Sequence, residues 1–154
     1  MAETFRSLDK NVATGMKTEA GKIAAIVEAW ENVRSDSSPL RFFWSVYSDK
    51  TYKILASGES LEQMAESVTP ENMHFGGVRV EIKGKPSFLH VLYIGAAVSI
   101  VKRGSAQMLK SAPFSAMQGG SGEISLPVGS EVTVDSLAKD IAAALGCKIE
   151  EVLV

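Results

Sequence analysis

The feature that most constrains this fold is an almost uninterrupted apolar run at residues 87–94, with the sequence SFLHVLYI. Eight residues are too few to cross a bilayer, and aromatic and β-branched side chains favour a strand. A strand that is apolar on both faces has to be covered on both faces. We therefore predict a central strand whose sheet carries other structure against each side.

The hydrophobic periodicity of the remaining chain predicts elements of both kinds. Apolar residues at spacings of three and four indicate helices, and aromatic or alternating runs indicate strands. In chain order, we predict a helix at 19–34, strands at 40–47 and 51–56, a helix at 61–67, strands at 75–82 and 87–94, a helix at 97–112, a strand at 123–128 and a helix at 136–145.

Capping and turn residues mark several element ends. Ser60 and Gln63 have the spacing of a capping box for the helix at 61–67. Asp135 is the predicted N-cap of the last helix. Gly84 and Pro86 are predicted to form the turn into the central strand.

These elements close most simply as one α+β domain, a five-stranded mixed sheet flanked by helices on both faces. Residues 1–20 are polar and poorly periodic, and we expect a loosely ordered extension there. The domain is predicted to span residues 21–148. The tail at 149–154 is amphipathic, and two interpretations stay open: it packs against the domain, or it frays into solvent.

The helix at 97–112 is the candidate for function. At 100° per residue, one side of it collects apolar residues and a neighbouring arc of about 100° collects basic ones. Pro113 should end or kink this helix. The apolar set is Val98, Val101, Met108, Leu109 and Ala112, and the basic set is Lys102, Arg103 and Lys110.

Charge is concentrated around this helix. Residues 82–122 contain five basic residues and no Asp or Glu, so the segment is +5, whereas the rest of the chain has 11 basic and 18 acidic residues and is −7. A basic zone in a mildly acidic chain predicts a surface for an acidic partner. An equally open interpretation is that some of these lysines are solvated surface.

Several classes of function are disfavoured. A pI near 5.7 and few aromatic residues in the basic segment argue against nucleic-acid binding. No apolar segment is long enough to cross a membrane, and a single cysteine, Cys147, cannot form an internal disulfide, which favours the cytoplasm. His74 and His90 lack ligand-spaced partners, so no metal is expected. No nucleophile elbow or acid–base constellation indicates an enzyme, and no cofactor is expected.

Three motifs occur in the same order as in a known family. They are residues 29–34 (AWENVR), Phe43 and Trp44 within the first strand, and residues 93–99 (YIGAAVS) leading into the basic helix. Over roughly residues 24–146 the chain resembles the actin-depolymerising factor homology (ADF-H) family, and its coactosin branch in particular. The resemblance implies the ADF-H, gelsolin-like fold and a monomeric, cytoplasmic, cytoskeletal protein that binds actin, preferably in filaments.

The resemblance also implies which residues contact actin. In this family the helix after the fourth strand inserts into a cleft on actin, and coactosins add a lysine just before that strand. Ser87 occupies that lysine position, and Val101 and Arg103 occupy the two basic positions of the cofilin helix. The implied contacts are Lys83, Lys85, Ser87, Lys102, Arg103, Gln107 and Lys110.

These departures from the family pattern favour binding to the side of the filament without strong severing. Two alternatives stay open. The chain can be a depolymerising and severing factor of the cofilin type, or an ADF-H adaptor whose basic face binds a non-actin acidic protein.

Overall fold

A five-stranded mixed sheet forms the centre of the computed structural model, which describes residues 19–153. The elements are α1 (Glu19–Arg34), β1 (Phe42–Ser48), β2 (Thr51–Gly58), α2 (Leu61–Glu66), β3 (Met73–Ile82), β4 (Lys85–Ile94), α3 (Ile100–Arg103), α4 (Ala106–Ala116), β5 (Gly122–Ser125), α5 (Val134–Leu145) and α6 (Ile149–Leu153). Of the predicted extension, residues 1–18 lie outside the described part, and Glu19 and Ala20 belong to α1.

The strands lie in the order β2-β1-β3-β4-β5, antiparallel except for the parallel β4–β5 pair. The mixed sheet is confirmed, and β4 occupies the interior position that its apolar run predicted. The parallel pairing of β5 is limited to residues 89–92 of β4. Within residues 19–153, one edge of the first part of β4 is therefore left without a partner strand.

The β3–β4 turn differs from the prediction. Lys83 and Gly84 form it, with φ of 53° and 80°, and Ile82 pairs directly with Lys85. Positive φ at both central residues is the geometry of a two-residue hairpin turn. Pro86 lies inside β4, opposite Glu81, where β5 does not extend and its missing N–H breaks no pairing with that strand.

Helices cover both faces of the sheet, as predicted. On one face, α1 and α4 pack over a cluster that includes Trp30, Phe43 and Phe75. On the other face, α2, α5 and α6 pack over a cluster around Trp44. Val152 of α6 is buried in this second cluster, so the tail packs rather than frays.

Both helix caps differ in detail from their predictions. Thr133, not Asp135, is the N-cap of α5, and it forms a capping box with Ser136. Thr133 has the extended backbone that an N-cap requires, and Asp135 lies in the first turn. In α2, Ser60 accepts from the N–H of Gln63 as predicted, but the Gln63 side chain accepts from the N–H of Glu59.

Two adjacent glycines of β3 determine how closely aromatic side chains approach the sheet. A Cβ on Gly76 would lie 2.5 Å from the Trp44 ring, and one on Gly77 would lie 2.6 Å from the Trp30 ring and 2.7 Å from Met117 Cε. Because neighbouring residues of a strand face opposite sides, the two indoles lie on opposite faces of the same point of the sheet.

We predict that Gly77→Ala destabilises the protein, because neither the Trp30 ring nor the fully buried Met117 has room to retreat. Overpacking of this kind costs about 1–3 kcal/mol, measured as a lower free energy of unfolding in urea. Gly104→Ala is the matched control, since a Cβ there meets nothing closer than 3.4 Å and its backbone is helical. Equal stabilities of the two variants would contradict the packing account.

Candidate functional site

The turn between β4 and α3 is held by the loop before β3. Gly95 N–H donates to Asn72 O at 2.9 Å, and Ala97 N–H donates to Pro70 O at 2.8 Å. A Cβ on Gly95 would collide with the Pro70 carbonyl, so only glycine fits there. Backbone contacts with residues 69–72 thus fix the point from which α3 begins.

His74 connects this loop to the sheet. It is fully buried; its Nε2 accepts from Thr69 N–H at 3.0 Å, which leaves Nδ1 to donate to Tyr93 O at 3.1 Å. Burial lowers the pKa of His74 below its usual 6.5. A proton on Nε2 would also face the Thr69 N–H, so this arrangement requires the neutral imidazole. His74 is therefore a structural residue of the turn.

The predicted helix at 97–112 is interrupted. It forms α3 over four residues, passes through Gly104 and Ser105, and resumes as α4. Val98 is buried, but Val101 and Met108 of the predicted apolar side are 87% and 72% exposed. Leu109 and Ala112 do pack against the core together with Val98. The prediction of one apolar face was therefore wrong only for Val101 and Met108, because it assumed a single continuous helix.

Three large apolar side chains of α3 and α4 are exposed to solvent. Ile100 is 81% exposed, and we call Ile100, Val101 and Met108 together the apolar ridge. Single exposed apolar residues are ordinary on protein surfaces, whereas three large ones within nine residues of sequence favour an interaction site. Sequence periodicity missed this ridge. The available signal was Gly104, a common helix-ending residue only five positions after Ser99.

The predicted basic arc is not one free surface. Lys102 and Gln107 are exposed. Arg103 turns back on its own segment, where Nε donates to Val98 O at 2.9 Å and Nη2 to Ala96 O at 3.0 Å. Lys110 forms an ion pair with Glu123 of β5, so most of its charge is already balanced.

The remaining predicted contacts lie at the other end of β4. Lys83 pairs with Glu151 of α6 at 3.3 Å, Lys85 is exposed, and Ser87 is half-buried. The pKa of Glu151 is lowered, first by the N–H of Lys148 and then by Lys83. Ten residues of strand separate this hairpin tip from the α3 end, a distance of about 30 Å at about 3.4 Å per residue.

Of the two predicted effects of Pro113, ending the helix is wrong, since α4 continues to Ala116. Proline at this position removes the N–H that would donate to the carbonyl of Leu109, four residues earlier. The Tyr52 hydroxyl replaces it and donates to Leu109 O at 2.6 Å. A side chain from β2 thus satisfies the carbonyl that the proline leaves free.

The C-terminal end of α4 is held by two aromatic side chains of α1 and β4. Trp30 Nε1 donates to Gln118 O at 2.7 Å, and His90 Nε2 bonds Met117 O at 2.7 Å. His90 is therefore a structural residue. Among residues 19–153, no group of three or more His, Cys, Asp or Glu could hold a metal, and no helix is long and apolar enough to cross a membrane.

These features define an ADF-H domain in which α3, the helix that follows β4, is exposed to solvent. The chain belongs to the family described as cofilin/tropomyosin-type actin-binding protein, whose model matches residues 22–142. The actin-binding, ADF-H assignment made from the motifs is thereby confirmed, and this family consists of actin-binding proteins and not of enzymes.

Solved structures show the same fold. Human coactosin-like protein is 19% identical, with 79% of this chain and 95% of that chain covered at a TM-score of 0.69. Coactosin from Entamoeba histolytica is 14% identical, with coverage of 80% and 96% and a TM-score of 0.67. Mouse coactosin, described as an actin filament binding protein, is 20% identical, with coverage of 79% and 88% and a TM-score of 0.64. No curated protein sequence matches the chain.

The first prediction from this site concerns pH. Because the pKa of His74 is lower in the folded than in the unfolded protein, the unfolded state binds more protons below about pH 6.5. The stability that neutral His74 provides is complete above that pH and is lost as the pH falls toward the folded-state pKa. Urea denaturation from pH 7.5 to 5 should show this loss, with a flatter profile in His74→Gln. An NMR titration midpoint for His74 at or above 6.5 would contradict it.

The second prediction couples Tyr52 to Pro113. Tyr52→Phe should cost about 1–3 kcal/mol, because it leaves the Leu109 carbonyl without its hydroxyl donor. In a Pro113→Ala background the restored backbone N–H can replace that donor, so the same substitution should cost less. A double-mutant cycle of unfolding free energies measures the difference. Equal costs in both backgrounds would show that the hydroxyl does not compensate for the proline.

Proposed function

We propose that this protein binds the side of filamentous actin through two separate contacts and modulates filament dynamics without strong severing. The observation that carries the proposal is the apolar ridge of Ile100, Val101 and Met108. It lies on the segment that follows β4, which by family resemblance inserts into actin. Lys102, beside the ridge, supplies one exposed cation.

The second contact is the hairpin tip, with Lys83 and Lys85. It lies about 30 Å along β4 from the end at which α3 begins, so the two contacts are separate surfaces, which on a filament can be engaged by neighbouring subunits. Lys83 would have to exchange Glu151 for an acidic group of actin. The description of mouse coactosin as an actin filament binding protein points the same way.

Weak severing is supported by the composition of α3. Val101 stands where the cofilin helix has a basic residue, and Arg103, at the other basic position, is bonded to two carbonyls of its own turn. Pro113 does not shorten the helix, since α4 continues through it. A cytoplasmic, monomeric protein associated with the cytoskeleton remains our expectation.

A different partner is the second candidate. Three of the five cations in the basic segment already have acceptors within this chain, so an adaptor that recognises an acidic protein by charge would have to exchange these acceptors, as Lys83 would on actin. The cofilin-type severing alternative is addressed by filament imaging below.

We predict that binding depends more on the ridge than on its cation. In co-sedimentation with filamentous actin, Val101→Asp should raise the Kd at least about tenfold, because it places a charge in an apolar contact. Lys102→Ala should raise it by up to about fivefold, the effect of one exposed ion pair worth about 0.2–1 kcal/mol. Lys53→Ala, an exposed lysine on edge strand β2, is the control and should bind normally. A larger loss in Lys102→Ala than in Val101→Asp would contradict the ridge as the main contact.

We also predict few filament breaks. In surface imaging of single filaments, micromolar protein should leave filament length and subunit loss close to those of bare actin. A Val101→Lys variant restores the basic position of the cofilin helix and should increase breaking if that position limits severing. Frequent breaks with the wild-type protein would instead support the cofilin-type alternative.

A further inference from the structure

We propose that α3 is a movable docking element that turns about Gly104 and is latched in the free protein by Arg103. This inference rests on the proposed function, since docking on actin is what would release the latch. It concerns how the segment engages a partner, and it assigns Gly104 and Arg103 positioning roles rather than direct contact.

The first observation is that α3 has no anchor in the core. None of its four residues is buried, and Ile100 and Val101 are more than 80% exposed. Within the described part of the chain, every hydrogen bond found for α3 closes inside residues 96–105. Segments with few buried apolar contacts and only local bonds open at low free-energy cost.

The second observation is that Gly104 is not required by the free structure. Its φ and ψ of −65° and −19° are those of an ordinary helix. A Cβ there would lie 3.4 Å from Val101 O, which is normal van der Waals contact. Alanine would therefore fit and would favour the helical backbone. The glycine weakens the connection between α3 and α4, which is the property expected of a hinge.

The third observation is the position of Arg103. Its guanidinium joins the last residue of α3 to Ala96 O and Val98 O at the start of the same turn. Val98 is buried and Ala97 is bonded to Pro70 O, so the start of the turn is fixed. Arg103 is therefore the side chain that holds the end of α3 to the fixed part of the molecule.

Hydrogen exchange on the protein without actin tests the hinge itself. The amides of Arg103 and Gly104, bonded to Ser99 O and Ile100 O, should exchange at least about tenfold faster than that of Leu109 in α4. Gly104→Ala should slow hydrogen exchange at these two amides about fivefold. This factor corresponds to the difference in helix propensity between alanine and glycine, about 1 kcal/mol. Arg103→Gln should speed them. Ser111→Ala, at an exposed position of α4, is the control and should leave them unchanged.

Binding to filamentous actin tests whether the hinge is used. Gly104→Ala should bind up to about fivefold more weakly than the wild type, and Ser111→Ala should bind normally. Slow exchange of the α3 amides in the wild type, or no slowing in Gly104→Ala, would overturn the hinge. A mobile α3 with unchanged or tighter binding by Gly104→Ala would overturn its use in docking. Failure of the wild type to bind actin would instead count against the proposed function. The hydrogen-exchange measurement would then be the test of the hinge.

Discussion

The contact of two tryptophans with adjacent glycines of β3 is the constraint on which the rest of the structure depends. Gly76 admits Trp44 on one face and Gly77 admits Trp30 on the other, so both helical layers approach the same point of the sheet. From that position the Trp30 indole reaches Gln118 O, just beyond α4. The absence of a side chain at Gly77 therefore allows the Trp30 contact that holds the C-terminal end of α4.

The strand β4 determines how far apart the two candidate binding surfaces lie. Its apolar run requires a central position, and its ten residues separate the α3 turn at one end from the Lys83 hairpin at the other. The basic segment is continuous in sequence, but the strand divides it into two surfaces at opposite ends of the domain. The proposed function uses both surfaces, which lie about 30 Å apart along β4.

The sequence predicted elements better than it predicted contacts. Periodicity located α1 and the strands, because amphipathic patterns reflect burial directly. It could not show that Tyr52 supplies the donor that Pro113 lacks, since these residues are far apart in sequence and only the packed structure brings them together. Likewise, the segment without acidic residues receives its counter-charges from outside itself, from Glu123 and Glu151. The apolar ridge was missed for a local reason, because periodicity assumed one continuous helix, whereas the helix is interrupted between Arg103 and Ala106.

Cryo-electron microscopy of actin filaments saturated with the protein tests the central claim most directly, because it locates both ends of β4 at once. The account predicts that Ile100 and Val101 lie against one actin subunit and that the Lys83–Lys85 turn lies against its neighbour in the filament. Bare filaments at saturating protein, or a bound protein whose α3 faces solvent, would contradict it.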